Sequence, residues 1–210
     1  MSDFTNTSDV MGDSSAVVAL LSGTLPELSD DRIETVGAKR FTKNASIESV
    51  DLPLVTSVGN GAFMDCSNLK RVRLESCSRT EHDIFSDCVS LTDVYLPKVT
   101  GSIESMFNWC TSLERVDLRR SVRIGYKTFN ACTNLKRLVL RSRTLCSYTD
   151  TTAFTNTPIA NGTGYIYVPR NLLSEYANAT NWSALAGQFR PLQSYTVDGT
   201  IDGELDESKI

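Results

Sequence analysis

Apolar residues recur through the middle of this chain with a fixed period of 22 positions. Each repeat contains a phenylalanine, followed at constant distances by a cysteine, a leucine, a valine and a second leucine, with few exceptions. The phenylalanines are Phe41, Phe63, Phe85, Phe107 and Phe129. Self-similarity of this period is typical of a solenoid, in which each repeat is one coil and stacked coils bury a continuous core.

Spacing within the repeat predicts the shape of one coil. The motif Leu-x-x-Val-x-Leu ends in apolar residues two positions apart, the period of a strand with one buried face. Phe-x-x-Cys-x-x-Leu has apolar residues three positions apart, which fits a tight or 3₁₀-like turn. Pro53, Gly59, Pro97 and Gly125 are placed to bend the chain between these parts. Each coil is therefore predicted to carry one short strand, and stacking would pair these strands in parallel.

The repeats are predicted to span residues 33–155, followed by a C-terminal cap over residues 156–195. Phe154, 25 positions after Phe129, begins an imperfect sixth unit that Pro158 interrupts. The cap is predicted to hold a strand over 164–169 and two short helices over 171–179 and 183–189, with Asn181 or Ser183 as an N-cap. Its apolar residues are expected to lie on the last coil: Leu172, Leu173, Tyr176, Trp182, Leu185 and Phe189.

The two termini differ from the repeats in composition. Residues 1–32 are predicted to form a polar N-terminal segment with a short helix over 16–21. That helix either covers the first coil or docks on another protein. Residues 196–210 are predicted to be an acidic tail.

Net charge and composition exclude several classes of protein. The chain has a net charge of −4, whereas a nucleic-acid-binding surface would need a clear basic excess. No apolar run approaches the roughly 18 residues that span a membrane. Asp3, Asp9 and Asp13 lie where a secretion signal would carry basic residues, and the first basic residue is Arg32. The apolar run over 16–21 is also short, so no secretion signal is expected.

Four of the six cysteines follow the repeat. Cys66, Cys88, Cys110 and Cys132 lie 22 positions apart, so stacked coils would place them in one buried column of free thiols. Distance alone does not exclude a disulfide between adjacent coils, but the side chains should run parallel into the core. Zinc would require thiolates that converge on one point, and no metal or cofactor is expected.

Reactive groups are sparse in the sequence. His82 is the one histidine, and it lies in a divergent segment between strands, where a solvated loop residue is the simplest interpretation. No glycine-rich phosphate loop follows a strand, and no carboxylate pair is marked out for acid–base chemistry. The chain is therefore predicted not to be an enzyme.

Candidate binding residues flank the central valine of each predicted strand, where side chains point outward. One ladder holds Arg71, Asp93, Arg115 and Arg137, and the other holds Arg73, Tyr95, Asp117 and Val139. Either neighbouring rungs form solvated ion pairs, or the ladders form a mixed-charge recognition face centred on Tyr95. Trp109 is expected to point outward as well, suited to contact with a sugar or protein or to packing on a neighbouring loop.

The repeat resembles the BspA-like class of leucine-rich repeats, whose unit reads roughly Ile-Gly-x-x-Ala-Phe-x-x-Cys-x-x-Leu-x-x-Val-x-Leu-Pro. Residues 58–74 match this unit closely, and 96–97 carry the strand-closing proline. The resemblance covers roughly residues 33–195. It implies a leucine-rich-repeat solenoid, a right-handed coil with one parallel β-sheet of short strands and a short helical C-terminal cap. The Ile-Gly signature is lost at 80–82 and 102–106.

This short form, with residues 196–200 near its C-terminal end, is similar to versions encoded by bacteriophages and prophages of gut Firmicutes, while longer relatives are bacterial surface adhesins. The resemblance implies a tail-associated virion protein, structural or receptor-binding, located in the virion. Its partners would be other virion proteins or a host cell-surface protein or glycan. Tails are built on rotational symmetry, so oligomers are expected. The alternative is an adhesin-like surface or cytosolic scaffold that binds a protein.

Overall fold

The chain folds as a stack of coils, and the computed structural model describes residues 26–120, 122–192, 194–195 and 201–202. The predicted helix over 16–21 and most of the predicted acidic tail lie outside these residues. In chain order the strands are β1 (Glu27–Ser29), β2 (Thr35–Val36), β3 (Ser49–Asp51), β4 (Ser57–Val58), β5 (Arg71–Arg73), β6 (Arg79–Thr80), β7 (Asp93–Tyr95), β8 (Gly101–Ser102), β9 (Arg115–Leu118), β10 (Val122–Ile124), β11 (Arg137–Leu140), β12 (Ser147–Tyr148), β13 (Tyr165–Val168), β14 (Phe189–Pro191), β15 (Ser194–Tyr195) and β16 (Ile201–Asp202).

The main sheet has eight parallel strands in the order β1-β3-β5-β7-β9-β11-β13-β14. Equivalent residues of successive repeats pair: Val50 with Val72, Val72 with Val94, and Val116 with Leu138. The predicted solenoid with a parallel sheet of short strands is confirmed. The sheet already begins at β1, within residues 1–32 that the pattern placed before the repeats.

Two smaller parallel sheets, which the sequence did not predict, lie on another side of the coils. Their orders are β2-β4-β6 and β8-β10-β12. A Cβ atom on Gly59 would lie 2.6 Å from the backbone nitrogen of Ala38 in the preceding coil, so the Val-Gly signature lets coils approach closely. Glu81 and Ile103 stand where Gly59 does, and the break between the two sheets falls between these coils. The local geometry therefore changes where the repeat signature is lost.

Sharp turns surround the phenylalanine of each coil. The residues two positions before and two positions after it adopt left-handed backbone conformations, with φ between 48° and 62°. These residues are Lys39, Gly61, Asp83, Ser105 and Lys127 before it, and Lys43, Asp65, Asp87, Trp109 and Ala131 after it. Short-range bonds close the turns: the Cys66 amide donates to the Phe63 carbonyl at 3.4 Å and the Leu69 amide to the Cys66 carbonyl at 3.1 Å. The predicted tight turn is present.

The core consists of columns of identical side chains. The phenylalanine rings stack from coil to coil with centroid separations of 5.2 to 5.9 Å, and Phe154 of the imperfect sixth unit completes the column. Each cysteine of the predicted column is buried and free, and its thiol donates to a backbone carbonyl, as Cys110 does to Phe85 at 3.0 Å. The thiol column is thus confirmed, and Cys77 and Cys146 are also buried and free.

The C-terminal cap closes the stack with aromatic side chains. It comprises β13, 3₁₀ helices over Arg170–Leu172 and Trp182–Gln188, helix α1 (Leu173–Asn178), and β14. Trp182 is buried and its indole N–H donates to the Cys146 carbonyl at 2.7 Å, while the Tyr176 hydroxyl accepts from the Cys146 amide at 2.9 Å. Asn181 precedes the second 3₁₀ helix as predicted, but its side-chain amide donates to the Tyr148 carbonyl instead of capping.

Strands β15 and β16 pair antiparallel as a separate two-stranded sheet. Across the described residues, no helix combines the length and apolar character needed to cross a membrane.

Candidate binding surface

The outer face of the main sheet is formed by the residues that flank the central apolar residue of each strand. The central residues, such as Val72 and Val116, are buried because they face the core. The flanking residues pair in register along the stack, as Arg73 does with Tyr95 and Tyr95 with Asp117. The two predicted ladders therefore exist and lie side by side on this outer face.

Tyr95 is the central aromatic residue of the outer face. Its half-buried ring lies between two guanidinium groups, with the Arg73 Cζ atom 5.1 Å and the Arg119 Cζ atom 5.5 Å from the ring centroid. Arg73 also pairs with Glu75, Nη2 to Oε2 at 2.9 Å. Because guanidinium groups are attracted to the ring face, both arginines help to fix the orientation of Tyr95.

Asp117 is the main carboxylate of the outer face. It accepts hydrogen bonds from Arg115 Nη2 at 3.0 Å and from Arg141 Nε at 2.9 and 3.0 Å. Its side chain is 16% exposed. Burial lowers the pKa of the Arg115 guanidinium, and the nearby Asp117 carboxylate opposes this change. The Arg115 Nε atom is buried and has no hydrogen-bond partner among the described residues.

One of the two predictions was that neighbouring rungs of the ladders form ion pairs. In the described part of the chain, neighbouring rungs of the first ladder do not pair in this way. Among the described residues, no ion pair joins Arg71 to Asp93 or Asp93 to Arg115. Instead, Arg115 bonds to Asp117 two positions further along its own strand, at 3.0 Å. Residues two apart on a strand share a face, and the long arginine side chain reaches along it. The prediction of rung-to-rung pairing is corrected accordingly.

Val139 does not contribute an exposed position, although it was assigned to the second ladder. It pairs with Asp117 and Tyr167 in the sheet but is 0% exposed. It also lies outside the main cluster of core residues. Its side chain is therefore on the outer face but covered there. Arg137, in the same strand, is half-buried.

A shallow groove of about 330 Å³ crosses the N-terminal half of the outer face. It brings together four of the predicted residues, Val72 between two of them, and residues of the two earlier strands β1 and β3: Glu27, Ser49, Val50, Asp51, Arg71, Val72, Arg73, Asp93 and Tyr95. Sequence reasoning missed Glu27, Ser49 and Asp51, although Ser49 and Asp51 lie 22 positions before Arg71 and Arg73. The same period would have identified them.

Trp109 lies outside the sheet, in the turn between β8 and β9. Trp109 is 51% exposed. Its backbone φ is 60°, the left-handed conformation shared by the residues two positions after each phenylalanine. The backbone is held in place because the Trp109 amide donates to the Asn130 carbonyl at 2.8 Å. The predicted outward direction is correct, and the structure does not bring Trp109 into the groove. Its role in binding stays a prediction.

The described residues contain no group of three or more His, Cys, Asp or Glu side chains arranged to hold a metal ion. His82 is 54% exposed, as the loop assignment predicted, and its Nδ1 atom lies 3.7 Å from Glu104 Oε2. The absence of enzymatic activity stays a prediction.

Comparison with known proteins identifies the repeat. A sequence model of the BspA-type leucine-rich repeat region matches residues 32–163 in six copies. The chain belongs to this family. A search of curated proteins gave no match.

Solved structures of other leucine-rich-repeat proteins are similar to this BspA-type chain. A T. pallidum leucine-rich-repeat protein is 24% identical, with a TM-score of 0.46 over 59% of this chain and 70% of that one. A Bacteroides ovatus leucine-rich-repeat protein is 23% identical, with a TM-score of 0.49 over 81% of this chain and 46% of that one. A leucine-rich cell surface protein from Faecalibacterium prausnitzii is 23% identical, with a TM-score of 0.42 over 65% of this chain and 43% of that one. The match spans less than half of the last two chains.

The BspA-type pattern accounts for the core of this chain but not for its outer face. The repeat specifies Phe, Cys, Leu and Val, which are buried in the columns. The flanking positions of the strands are unspecified, and here they hold a particular set of arginines, aspartates and a tyrosine. These side chains are therefore not accounted for by the burial of the core.

Proposed function

We propose that this BspA-type chain is a non-enzymatic protein-interaction module that binds through the outer face of its main sheet, centred on Tyr95. The observation that carries the proposal is the position of Tyr95 at the groove, with its ring between Arg73 and Arg119. Tyrosine and arginine are enriched in protein interfaces. A ring that is already fixed loses little side-chain entropy on binding.

A matched pair of tyrosine variants tests this proposal. Tyr126 is 48% exposed and has a cation, Lys127, 5.0 Å from its ring, but it lies in a turn away from the outer face. Tyr95→Ala is expected to weaken binding of a partner at least about tenfold, since central aromatic residues dominate interface energetics. Tyr126→Ala should leave the affinity nearly unchanged. Equal losses in both variants, measured by calorimetry, would contradict the assignment of the face.

Trp109 is proposed as a second contact. Asn and Asp tolerate the left-handed conformation better than most residues, and Asp65 and Asp87 occupy this position in earlier coils. Trp109→Asn should therefore keep or raise the melting temperature. A simultaneous loss of partner affinity would support a contact role for Trp109, whereas unchanged affinity would contradict it.

We further propose that the module serves in a bacteriophage virion, as a tail-associated structural or receptor-binding protein that assembles with other virion proteins or contacts a host surface protein or glycan. The support is the resemblance of residues 196–200 to phage-encoded versions. Family membership is equally consistent with the alternative, an adhesin-like surface or cytosolic scaffold that binds a protein.

Mass spectrometry of purified phage particles from a producing lysogen separates these roles. Stoichiometric presence, with a fixed copy number, would support the virion role. Absence from the particles, with the protein recovered from the cell, would leave the surface or scaffold role. Light scattering on the isolated protein tests the oligomer expected for the virion role, and a strict monomer at high concentration would count against it.

A further inference from the structure

Basic residues are concentrated in one part of the chain although the whole is acidic. Nine of the 21 lysines and arginines lie between Arg115 and Arg143, together with a single acidic residue, Asp117. The net charge of the whole chain is −4. The final coils of the repeat therefore carry a strong local positive charge that the overall composition conceals.

Four arginines of this segment surround one open groove. The loops that follow β9 and β11 in adjacent coils line a groove of about 500 Å³, which we name the arginine groove: Arg119, Arg120, Arg141, Ser142, Arg143 and Thr144. It adjoins the outer face because Arg119 contacts the Tyr95 ring and Arg141 binds Asp117. The corresponding loop after β5 carries Glu75 and Ser76, so the basic groove is confined to the last coils.

Part of the arginine groove is fixed in advance of any ligand. Arg141 is held by the Asp117 carboxylate, and Arg119 lies over the Tyr95 ring. The loop itself is closed by Ser142, whose buried hydroxyl accepts from the Thr144 amide at 3.1 Å. A preformed site avoids part of the entropy cost of binding.

Arg120 and Arg143 are exposed and form no ion pair among the described residues. One carboxylate, Asp117, already bonds to Arg115 and Arg141 and leaves these two charges uncompensated. Guanidinium groups bind carboxylates through charge-assisted hydrogen bonds, as Arg115 and Arg141 do with Asp117 within the chain itself. A ligand with further carboxylates would complete the same chemistry.

We propose that the arginine groove docks an acidic peptide segment of a protein partner, one that carries at least two Asp or Glu side chains. This inference rests on the proposed protein-interaction function and names the chemistry of the partner. The groove spans two coils, about 10 Å of the stack at a strand spacing near 4.8 Å. That length suits a short peptide better than a nucleic-acid duplex, whose binding usually involves many phosphates.

Fluorescence anisotropy with the full chain and a labelled Glu-Gly repeat peptide tests the proposal. A Gln-Gly peptide of equal length controls for the carboxylates. The groove variant is Arg120→Gln with Arg143→Gln, and the control variant is Arg79→Gln with Arg170→Gln, two exposed arginines elsewhere with the same change in net charge. At about 50 mM salt the groove variant is expected to bind the Glu-Gly peptide about tenfold more weakly than the wild type, and the control variant to bind as the wild type does.

Three outcomes would overturn the proposal. Equal weakening in both double variants would indicate general charge attraction, and equal binding of the Gln-Gly peptide would remove the role of carboxylates. Tighter, groove-dependent binding of a heparin oligosaccharide or a single-stranded oligonucleotide would assign the groove to that polyanion. Circular dichroism shows whether the groove variant is folded. If the double variant is unfolded, the single Arg143→Gln variant takes its place in the peptide-binding measurement.

The two proposals fail separately. If the Glu-Gly peptide does not bind, but Tyr95→Ala still weakens a protein partner selectively, the outer face retains its function and only the acidic docking segment is rejected. If neither variant changes the affinity for any partner, both proposals fail.

Discussion

Single residues in this protein are repeated in space because they are repeated in sequence. Leu69, Leu91, Leu113 and Leu135 occupy the same position of successive coils, and each is completely buried. A side chain in such a column contacts its equivalents above and below as well as its own coil. Removing one leucine side chain therefore removes packing contacts in three successive coils.

Replacement of Leu113 by alanine is expected to lower the free energy of unfolding by about 2–5 kcal/mol, the range for a buried leucine that leaves a cavity. Leu54 provides the control, since it is 48% exposed and Leu54→Ala should cost less than about 1 kcal/mol. Urea unfolding followed by circular dichroism measures both. Similar losses for the two variants would contradict the leucine column as the source of stability.

Burial also determines the chemistry of the cysteines. It raises the pKa of the Cys132 thiol from 9.0 to about 12, because a thiolate is poorly solvated in the core. In the unfolded chain the thiol ionises near pH 9, while the folded chain retains its proton. The contribution of Cys132 to stability is therefore complete below about pH 9 and is lost as the pH rises towards 12.

Cys132→Ala removes this pH dependence. Between about pH 8 and pH 10, the free energy of unfolding should fall by about 1 kcal/mol more in the wild type than in the variant. All other side chains are common to the two proteins, so the comparison isolates Cys132. Parallel decreases in urea-unfolding experiments would show that Cys132 is not buried as a thiol.

At the scale of elements, the strands are too short to be stable alone. The strands of the main sheet have three or four residues each, and they persist because they pair with the strands of adjacent coils, on both sides for all but the edge strands β1 and β14. Side chains add links between coils, such as the bond from Arg141 in the loop after β11 to Asp117 in β9. Such links also determine which outer-face charges remain available to a partner.

Asp117→Asn is expected to lower the free energy of unfolding by about 1–2 kcal/mol, because Arg115 and Arg141 lose a shared carboxylate in a partly buried setting. Glu75 pairs with Arg73 in a more exposed position, with side chains 39% and 58% exposed. Glu75→Gln should therefore change stability by less than about 0.5 kcal/mol. The difference between the variants should shrink in high salt, and a larger effect for Glu75→Gln would contradict the assignment of Asp117 as the central carboxylate.

At the scale of the whole molecule, the solenoid is a one-dimensional stack whose ends need protection. Contacts run mainly between neighbouring coils, so stability passes from coil to coil. The C-terminal end is covered by an aromatic cluster in which Trp182 lies 4.8 Å from Tyr148 and 5.5 Å from Tyr176, measured between ring centroids. The cap thus joins β12, the column of phenylalanines and α1.

Trp182→Ala should lower the free energy of unfolding by about 3–5 kcal/mol, as expected for a buried tryptophan. Because stability is transmitted between neighbours, amide hydrogen exchange should accelerate most in β11 and β13 and least in β3 and β5. Ser183→Ala, at the adjacent exposed position, is the control. Uniform acceleration along the stack would indicate that the chain unfolds as one cooperative unit.

The sequence by itself determined the period, the strands of the main sheet from β3 to β13, the phenylalanine column, the buried free thiols and the apolar residues of the cap. These features depend on contacts between equivalent positions of adjacent repeats. A fixed period places those positions next to each other whatever the remaining residues are. Trp109 could be assigned to the surface for the same reason, since its equivalents Asp65 and Asp87 are polar.

Only the tertiary structure decided the features that join different positions of different coils. Asp117 binds Arg141, 24 positions away, Val139 is covered on the outer face, and the four arginines of the arginine groove come from two loops. The two small parallel sheets, β2-β4-β6 and β8-β10-β12, depend on how closely the backbones of adjacent coils approach where glycine is present. The repeat places the coils, but it does not specify which way a long side chain turns or which neighbour covers it, because those outcomes depend on non-equivalent residues packed together in space.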